Sequence, residues 1–203
     1  MMKLKCCPAW LKNLLIKKGR NNMIGETITV NGVKCLVLDE INGNPFVIAL
    51  EVEIYSVFGD SNNYKESGSR KTIESWFKNT GIKAIARDVD LTAMDGYKGY
   101  GTLNTTVAPL TFDEYRKYNH ILTPHIKNSF WLVTPWGSPE KDNWASNYVC
   151  NVHTDGSANG NYYYYSYGLA PAFILDKNQY FNKSLSDFTN EELIAELNKR
   201  LKV

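Results

Sequence analysis

The sequence predicts an α+β domain of antiparallel β-sheets with two helices and long loops, followed by a separate C-terminal helix. Three observations carry this. Asn-Gly dipeptides at 31–32 and 42–43 punctuate β-rich runs near the start. Two mid-chain segments show capping residues and helical spacing. The last third returns to short runs rich in Val, Ile and aromatic residues, separated by polar turns.

In chain order, residues 27–30 lead to the Asn31-Gly32 turn, and 33–38 resume as the returning strand. The turn Asn42-Gly43-Asn44 precedes a third strand, 45–50, completing a meander. Residues 69–79 read as a helix: Ile73, Trp76 and Phe77 share a face, Ser67 or Ser69 caps its start, and Gly81 follows its end. Asp95-Gly96 and the glycines from Gly99 to Gly101 mark a long irregular loop. Thr111-Phe-Asp-Glu114 has the spacing of a capping box and opens a second helix reaching about His120.

Residues 130–134 form a short apolar strand before a polar loop, 135–143. Strands at 148–153 and 162–167 flank a hairpin tip running from Asp155 to Gly160, and 172–175 is a final buried strand. Thr189-Asn-Glu-Glu192 caps the C-terminal helix, with Leu193, Ile194, Leu197 and Leu201 on its apolar face.

These elements divide the chain into a basic extension (1–22), the domain (23–177), and a linker with the C-terminal helix (178–203). The extension carries Lys3, Lys5, Lys12, Lys17, Lys18 and Arg20 and no acid, with Trp10, Leu11, Leu14 and Leu15 at helical spacing. It reads as an amphipathic helix for an anionic surface or a partner, or as a solvated appendage. A third reading is that it is not native: Lys-Lys-Gly-Arg-Asn-Asn before Met23 can be encoded by a purine-rich ribosome-binding sequence, which makes Met23 the start. Lys12, Lys17 and Lys18 interrupt any signal-peptide core, and no apolar run approaches the ~18 residues needed to span a bilayer. Synthesis in the cytoplasm without a signal peptide is therefore expected.

Hydrophobic content of 43% and charged content of 22% are those of a folded protein. A net charge of +2 with no central basic stripe argues against a nucleic-acid partner. The four cysteines, Cys6, Cys7, Cys35 and Cys150, form no C-x-x-C pairs, which removes a zinc-ribbon reading. Cys35 and Cys150 fall in strands and read as small core residues.

No set of residues converges on catalysis. His120, His125 and His153 lack metal-site spacing, no H-E-x-x-H or G-x-x-x-x-G-K-[ST] motif occurs, and the expectation is a protein that is not an enzyme. Asp155, Ser157, Asn159 and Gly160 imitate the start of a calcium loop, but Ser166 stands where the closing Glu belongs. A hairpin turn explains the same residues, so no cofactor is expected and Asp155 alone is a candidate calcium ligand.

The 13 Tyr, 8 Phe and 5 Trp are the unusual feature. Residues 162–165 are four successive tyrosines; as a strand, half would face the core and half solvent. Trp136, Trp144, Tyr163 and Tyr165 are the candidate ligand-binding residues, with core packing the competing reading.

Several segments occur in a recognisable order. They are Ser67-x-x-Arg70 opening a helix with Trp76-Phe77, Leu110-Thr-Phe-Asp-Glu-Tyr115, Phe130-Trp-Leu-Val-Thr-Pro135, Asp155-Gly-Ser, and Tyr167-Gly-Leu-Ala-Pro-Ala-Phe173. This resembles the bacterial and phage family of domains of unknown function numbered 6273, over roughly residues 28–176. Ala170 stands where that family usually has Arg, so no role of that Arg transfers. The resemblance implies a C-type-lectin-like fold and a phage or Gram-positive setting. The expected function is recognition of a cell-surface glycan or protein, with virion association (a tail component) and a homo-oligomer as corollaries. The alternative is an intracellular phage accessory protein that binds and inhibits a host protein.

Overall fold

A computed structural model describes residues 23–51, 53–180 and 194. Met23–Leu175 forms one compact unit. The predicted N-terminal extension lies outside the described residues. Of the predicted C-terminal helix only Ile194 is described, with helical backbone.

The unit is mixed α and β, with mostly antiparallel sheets and two helices longer than one turn. It opens with the meander β1 (Thr27–Val30), β2 (Val33–Ile41) and β3 (Asn44–Ala49). Asn31 (φ 48°) and Gly32 (φ 82°), then Asn42 (φ 51°) and Gly43 (φ 75°), occupy the left-handed region in pairs, as type I′ hairpin turns require.

β4 (Tyr55–Val57) follows, then helix α1 (Gly68–Thr80). Ser67 caps α1 by accepting from the Arg70 N–H, and Gly81 ends it in the left-handed conformation. The region read as one irregular loop holds three short strands: β5 (Ala84–Ile85), β6 (Arg87–Asp90) and β7 (Thr102–Thr105). β6 and β7 form a two-stranded ladder that closes residues 91–101 into a loop. Helix α2 (Phe112–Leu122) starts with the full capping box of Thr111 and Glu114.

The remaining strands are β8 (Phe130–Pro135), β9 (Tyr148–Val152), β10 (Ala158–Tyr162), β11 (Ser166–Gly168) and β12 (Ala172–Leu175). The expected continuous strand over 162–167 does not form. β10 already begins at Ala158, and residues 163–165 form a turn before β11. The hairpin tip is correspondingly shorter than the predicted 155–160. Its reversal is complete by Ser157, where the Ser157 carbonyl accepts the His153 N–H at 2.8 Å.

One five-stranded sheet has the order β1-β2-β3-β12-β5, so the last strand of the unit sits inside the sheet begun by its first three. A second has the order β10-β9-β8-β11-β4, antiparallel except for β11 beside β8. The main core joins Leu36, Leu38, Phe46, Ile48 and Ile174 of the first sheet to Leu132, Cys150 and Val152 of the second, with Tyr115, Tyr118 and Leu122 of α2 between them. α1 sets Phe77 against Phe173, on the opposite side of β12, at 5.0 Å between ring centres. Trp131 is fully buried on the other side of β8, against Phe58 (5.7 Å) and Tyr167 (4.7 Å).

Candidate functional site

Side chains alternate along a strand, so the register of β9 and β10 dictates which rings meet. Val152 faces Ala158, Cys150 faces Gly160, and Tyr148 faces Tyr162. Val152 and Cys150 belong to the core and Ala158 packs on it. The third pair continues the same row outward, and the Tyr148 and Tyr162 rings lie 4.2 Å apart.

From this pair the aromatic row extends both ways. Trp144 packs on Tyr148 at 4.5 Å, and Tyr164 stacks on Tyr162 at 4.9 Å with only 20° between the planes. Tyr165 meets Tyr162 edge-on at 5.7 Å, and Tyr163 meets Tyr164 at 5.6 Å. The outer rings are open to solvent: Trp144 is 61% exposed, Tyr164 53% and Tyr165 47%. Offset and edge-on ring pairs of this kind add about 0.5–1.5 kcal/mol each beyond area burial, so the row is ordered by its own contacts.

The backbone under these rings is also pinned. The Tyr163 N–H donates to the Asn147 carbonyl at 3.0 Å, the Tyr165 N–H to the Tyr162 carbonyl at 2.9 Å, and the Phe58 N–H to the Tyr163 carbonyl at 2.8 Å. Asp142 Oδ1 accepts from the N–H groups of Trp144 (2.9 Å) and Ala145 (3.2 Å), opening the single helical turn Ala145–Asn147.

Partial desolvation, then the Tyr162 hydroxyl hydrogen-bonded to it and the neighbouring phenols, pushes the Tyr148 phenol well up. Desolvation and its three tyrosine neighbours raise Tyr164 as well. Both therefore present neutral hydroxyl groups at physiological pH.

The four sequence candidates are not equivalent. Trp144 and Tyr165 lie in the exposed row, and Tyr163 is half-buried at its edge. Trp136 is half-buried and packs against the core, with its ring directly over Gly160. Residues missed by sequence reasoning are Tyr148, Tyr162 and Tyr164. For Tyr148 and Tyr162 the signal lay in the register: counting outward from a turn centred on Asp155 pairs Val152 with Ala158 and Tyr148 with Tyr162, whereas Tyr164 joins from the turn 163–165 by stacking on Tyr162. A tip drawn as far as Gly160 hides that pairing.

No family model, curated protein or solved structure matches the chain.

Asp155 serves the hairpin: its Oδ1 accepts from the Ser157 N–H at 2.9 Å and the Ser157 hydroxyl at 2.7 Å, holding the carboxyl below its usual range. Among the described residues no three His, Cys, Asp or Glu side chains gather as a metal-binding group. Cys35 and Cys150 are both buried with free thiols, and burial pushes each up to about 12. Such thiols are protonated at neutral pH and poor nucleophiles. Among the described residues no helix is long and apolar enough to cross a membrane.

Proposed function

We propose that the unit is a recognition domain, not a catalyst, that binds a cell-surface glycan or protein through the aromatic row Trp144–Tyr148–Tyr162–Tyr164–Tyr165. One observation carries this reading: three large rings stand open to solvent while their backbones and inner neighbours hold them in place. Exposed aromatics arranged contiguously are a surface on which a partner is gripped with little ordering cost. The row carries hydroxyl and indole N–H groups beside its apolar faces and no charged side chain. That chemistry suits the C–H faces and hydroxyls of a neutral sugar better than a polyanion.

A C-type-lectin-like fold and membership of the family numbered 6273, with its phage setting, belong to the same proposal. The fold likeness is supported by β12 returning to the sheet formed by β1, β2 and β3, with the long connections 91–101 and 136–147 in between.

The test is binding of the full chain to Gram-positive cells and to a glycan panel, with and without calcium. Saturable binding that disappears in Trp144→Ala and Tyr164→Ala, each still folded, is the expected result. Equal binding by those variants removes the aromatic row from the function. Absence of binding to every cell and glycan overturns surface recognition, and turns the search to a host protein captured from inside the cell.

A further inference from the structure

We propose that Asp95, in a loop remote in sequence, is the positioning residue of the aromatic row: it fixes Trp144 through a hydrogen-bonded relay that runs Asp95, Ser138, Asp142, Trp144. This rests on the recognition role proposed for the row, but it is testable without a ligand.

The need for such a device follows from the exposure of the loop. Residues 139–144 are all exposed, and among the described residues Trp144 has a single ring neighbour, Tyr148. An exposed indole on a polar loop is carried through many placements unless the backbone beneath it is held, and order that must be gained on binding weakens the complex.

The hold starts in loop 91–101. Asp95 Oδ2 accepts both from the Ser138 N–H at 2.9 Å and from the Ser138 hydroxyl at 2.8 Å. Its Oδ1 accepts from the Tyr97 N–H at 2.9 Å, so both carboxylate oxygens are engaged by neighbouring backbone. Two bonds flank this clasp. The Met94 N–H donates to the Pro135 carbonyl at 3.0 Å, and the Lys141 ammonium donates to the Asp95 carbonyl at 2.6 Å. Ser138 itself is fully buried. Hydrogen bonds to an ionised acceptor are about twice as strong as neutral ones. Partial burial works to raise the Asp95 carboxyl, but the bonds from Tyr97 and Ser138 outweigh it and hold the group below its usual range.

From Ser138 the order passes along the loop. The Ser138 carbonyl accepts from the N–H groups of Asp142 (2.9 Å) and Lys141 (3.2 Å). Asp142 then caps Trp144 and Ala145 through its carboxylate, and its carbonyl accepts the Ser146 N–H at 3.0 Å. A second anchor lies beside the first. Buried Asn62 donates to the Gly137 carbonyl at 2.8 Å and accepts from the Tyr100 hydroxyl at 2.7 Å, tying loop 91–101 to the same turn. The loop is closed tightly here: a Cβ on Gly137 would lie 2.5 Å from the Ala145 side chain. Trp144 is thus held by its ring on Tyr148, by the Asn147 backbone and side-chain N–H groups that donate to its carbonyl (3.1 and 3.2 Å), and by a backbone chain that ends at Asp95.

The experiment is fluorine NMR on the full chain carrying 5-fluorotryptophan, with the Trp144 resonance assigned by Trp144→Phe and the Trp131 resonance by Trp131→Phe. In Asp95→Ala the parent Trp144 resonance is lost and replaced by a shifted, sharper one, while that of buried Trp131 stays in place. Asp95→Asn, which keeps one carbonyl acceptor for Ser138, gives a smaller shift. Ser138→Ala deletes only the hydroxyl bond, gives a partial shift, and carries the test should Asp95→Ala not fold. An unmoved Trp144 resonance in folded Asp95→Ala or Ser138→Ala overturns the relay. So does a Trp131 resonance that moves with it, because that reports general loosening. Whether the row binds anything is decided separately by Trp144→Ala on the cell and glycan panel, so the two ideas can fail independently.

Discussion

Arg87 donates to Oε1 of Glu114 at 2.6 Å, while Oε2 of the same carboxylate accepts the Thr111 backbone N–H at 2.8 Å. One side chain both closes the N-terminal cap of α2 and pairs a cation that is almost fully buried, which also lies 4.9 Å from the Phe46 ring centre. Glu114→Ala therefore removes the carboxylate half of the capping box and leaves the buried Arg87 guanidinium without its counter-ion, hydrogen-bonded among the described residues only to the Pro109 carbonyl. The expected loss is about 3–5 kcal/mol in urea unfolding. Arg87→Met, which replaces the cation with an apolar side chain of similar length, is expected to cost clearly less. Equal losses from the two substitutions contradict this account.

The exposed row and the core should separate cleanly in stability measurements. Trp144→Ala is expected to change unfolding free energy by less than about 0.5–1 kcal/mol, because the ring is mostly in solvent. Trp131→Ala, in the fully buried position against Phe58 and Tyr167, is expected to cost about 3–5 kcal/mol. Thermal or chemical unfolding of both variants checks the contrast.

Gly160 leaves room for the Trp136 ring. A Cβ at Gly160 would lie 2.6 Å from that ring, a distance no real contact sustains. Gly160→Ala is expected to destabilise by about 1–3 kcal/mol, the usual cost of overpacking, and to displace the indole. The same substitution combined with Trp136→Leu should recover part of the loss.

Acid should loosen the tie between α2 and β2. Burial works to raise the Asp39 carboxyl, but hydrogen bonds from Lys117, Tyr118 and the Glu40 N–H bring it below its ordinary 3.8. A depressed carboxyl contributes stability that is complete above its unfolded value and is lost as pH falls through the folded value. The contribution is therefore present at neutral pH and disappears below pH 3.8. Asp39→Asn is expected to lower stability at pH 7 and to make the acid limb of the unfolding curve shallower. An unchanged limb counts against Asp39 as a source of acid sensitivity.

The two core thiols should be silent in the folded chain. With Cys35 and Cys150 buried and raised to about 12, peptide mapping after brief treatment with a thiol reagent at pH 7 should find both unmodified. Both should label fully in denaturant. Rapid native labelling of either shows that its strand opens.

What was legible in the sequence was whatever local chemistry dictates. Asn-Gly pairs adopt left-handed backbone at little cost, so the meander turns at 31–32 and 42–43 could be placed without a structure. Ser67, Gly81, Thr111 and Glu114 satisfy helix ends through neighbours three residues away, so α1 and α2 were legible too. The short strands β4 to β7 were not, because two to four residues carry no period and are strands only through partners far along the chain.

The binding candidates divide along the same line. Composition alone determined that aromatic residues are this protein's distinguishing material; Tyr165 was named from a strand alternation that the turn at 163–165 replaces, and Trp144 from the neighbouring loop. Only the tertiary structure decided that Trp136 turns toward the core while Tyr148, Tyr162 and Tyr164 complete the exposed row. For Tyr148 and Tyr162 the physical reason is register: a ring's neighbours in a sheet are set by which residue stands opposite on the next strand, and a shift of one residue sends every side chain to the other face. Trp136 and Tyr164 lie just outside the paired strands, and only the packed loops put one ring on Gly160 and the other on Tyr162.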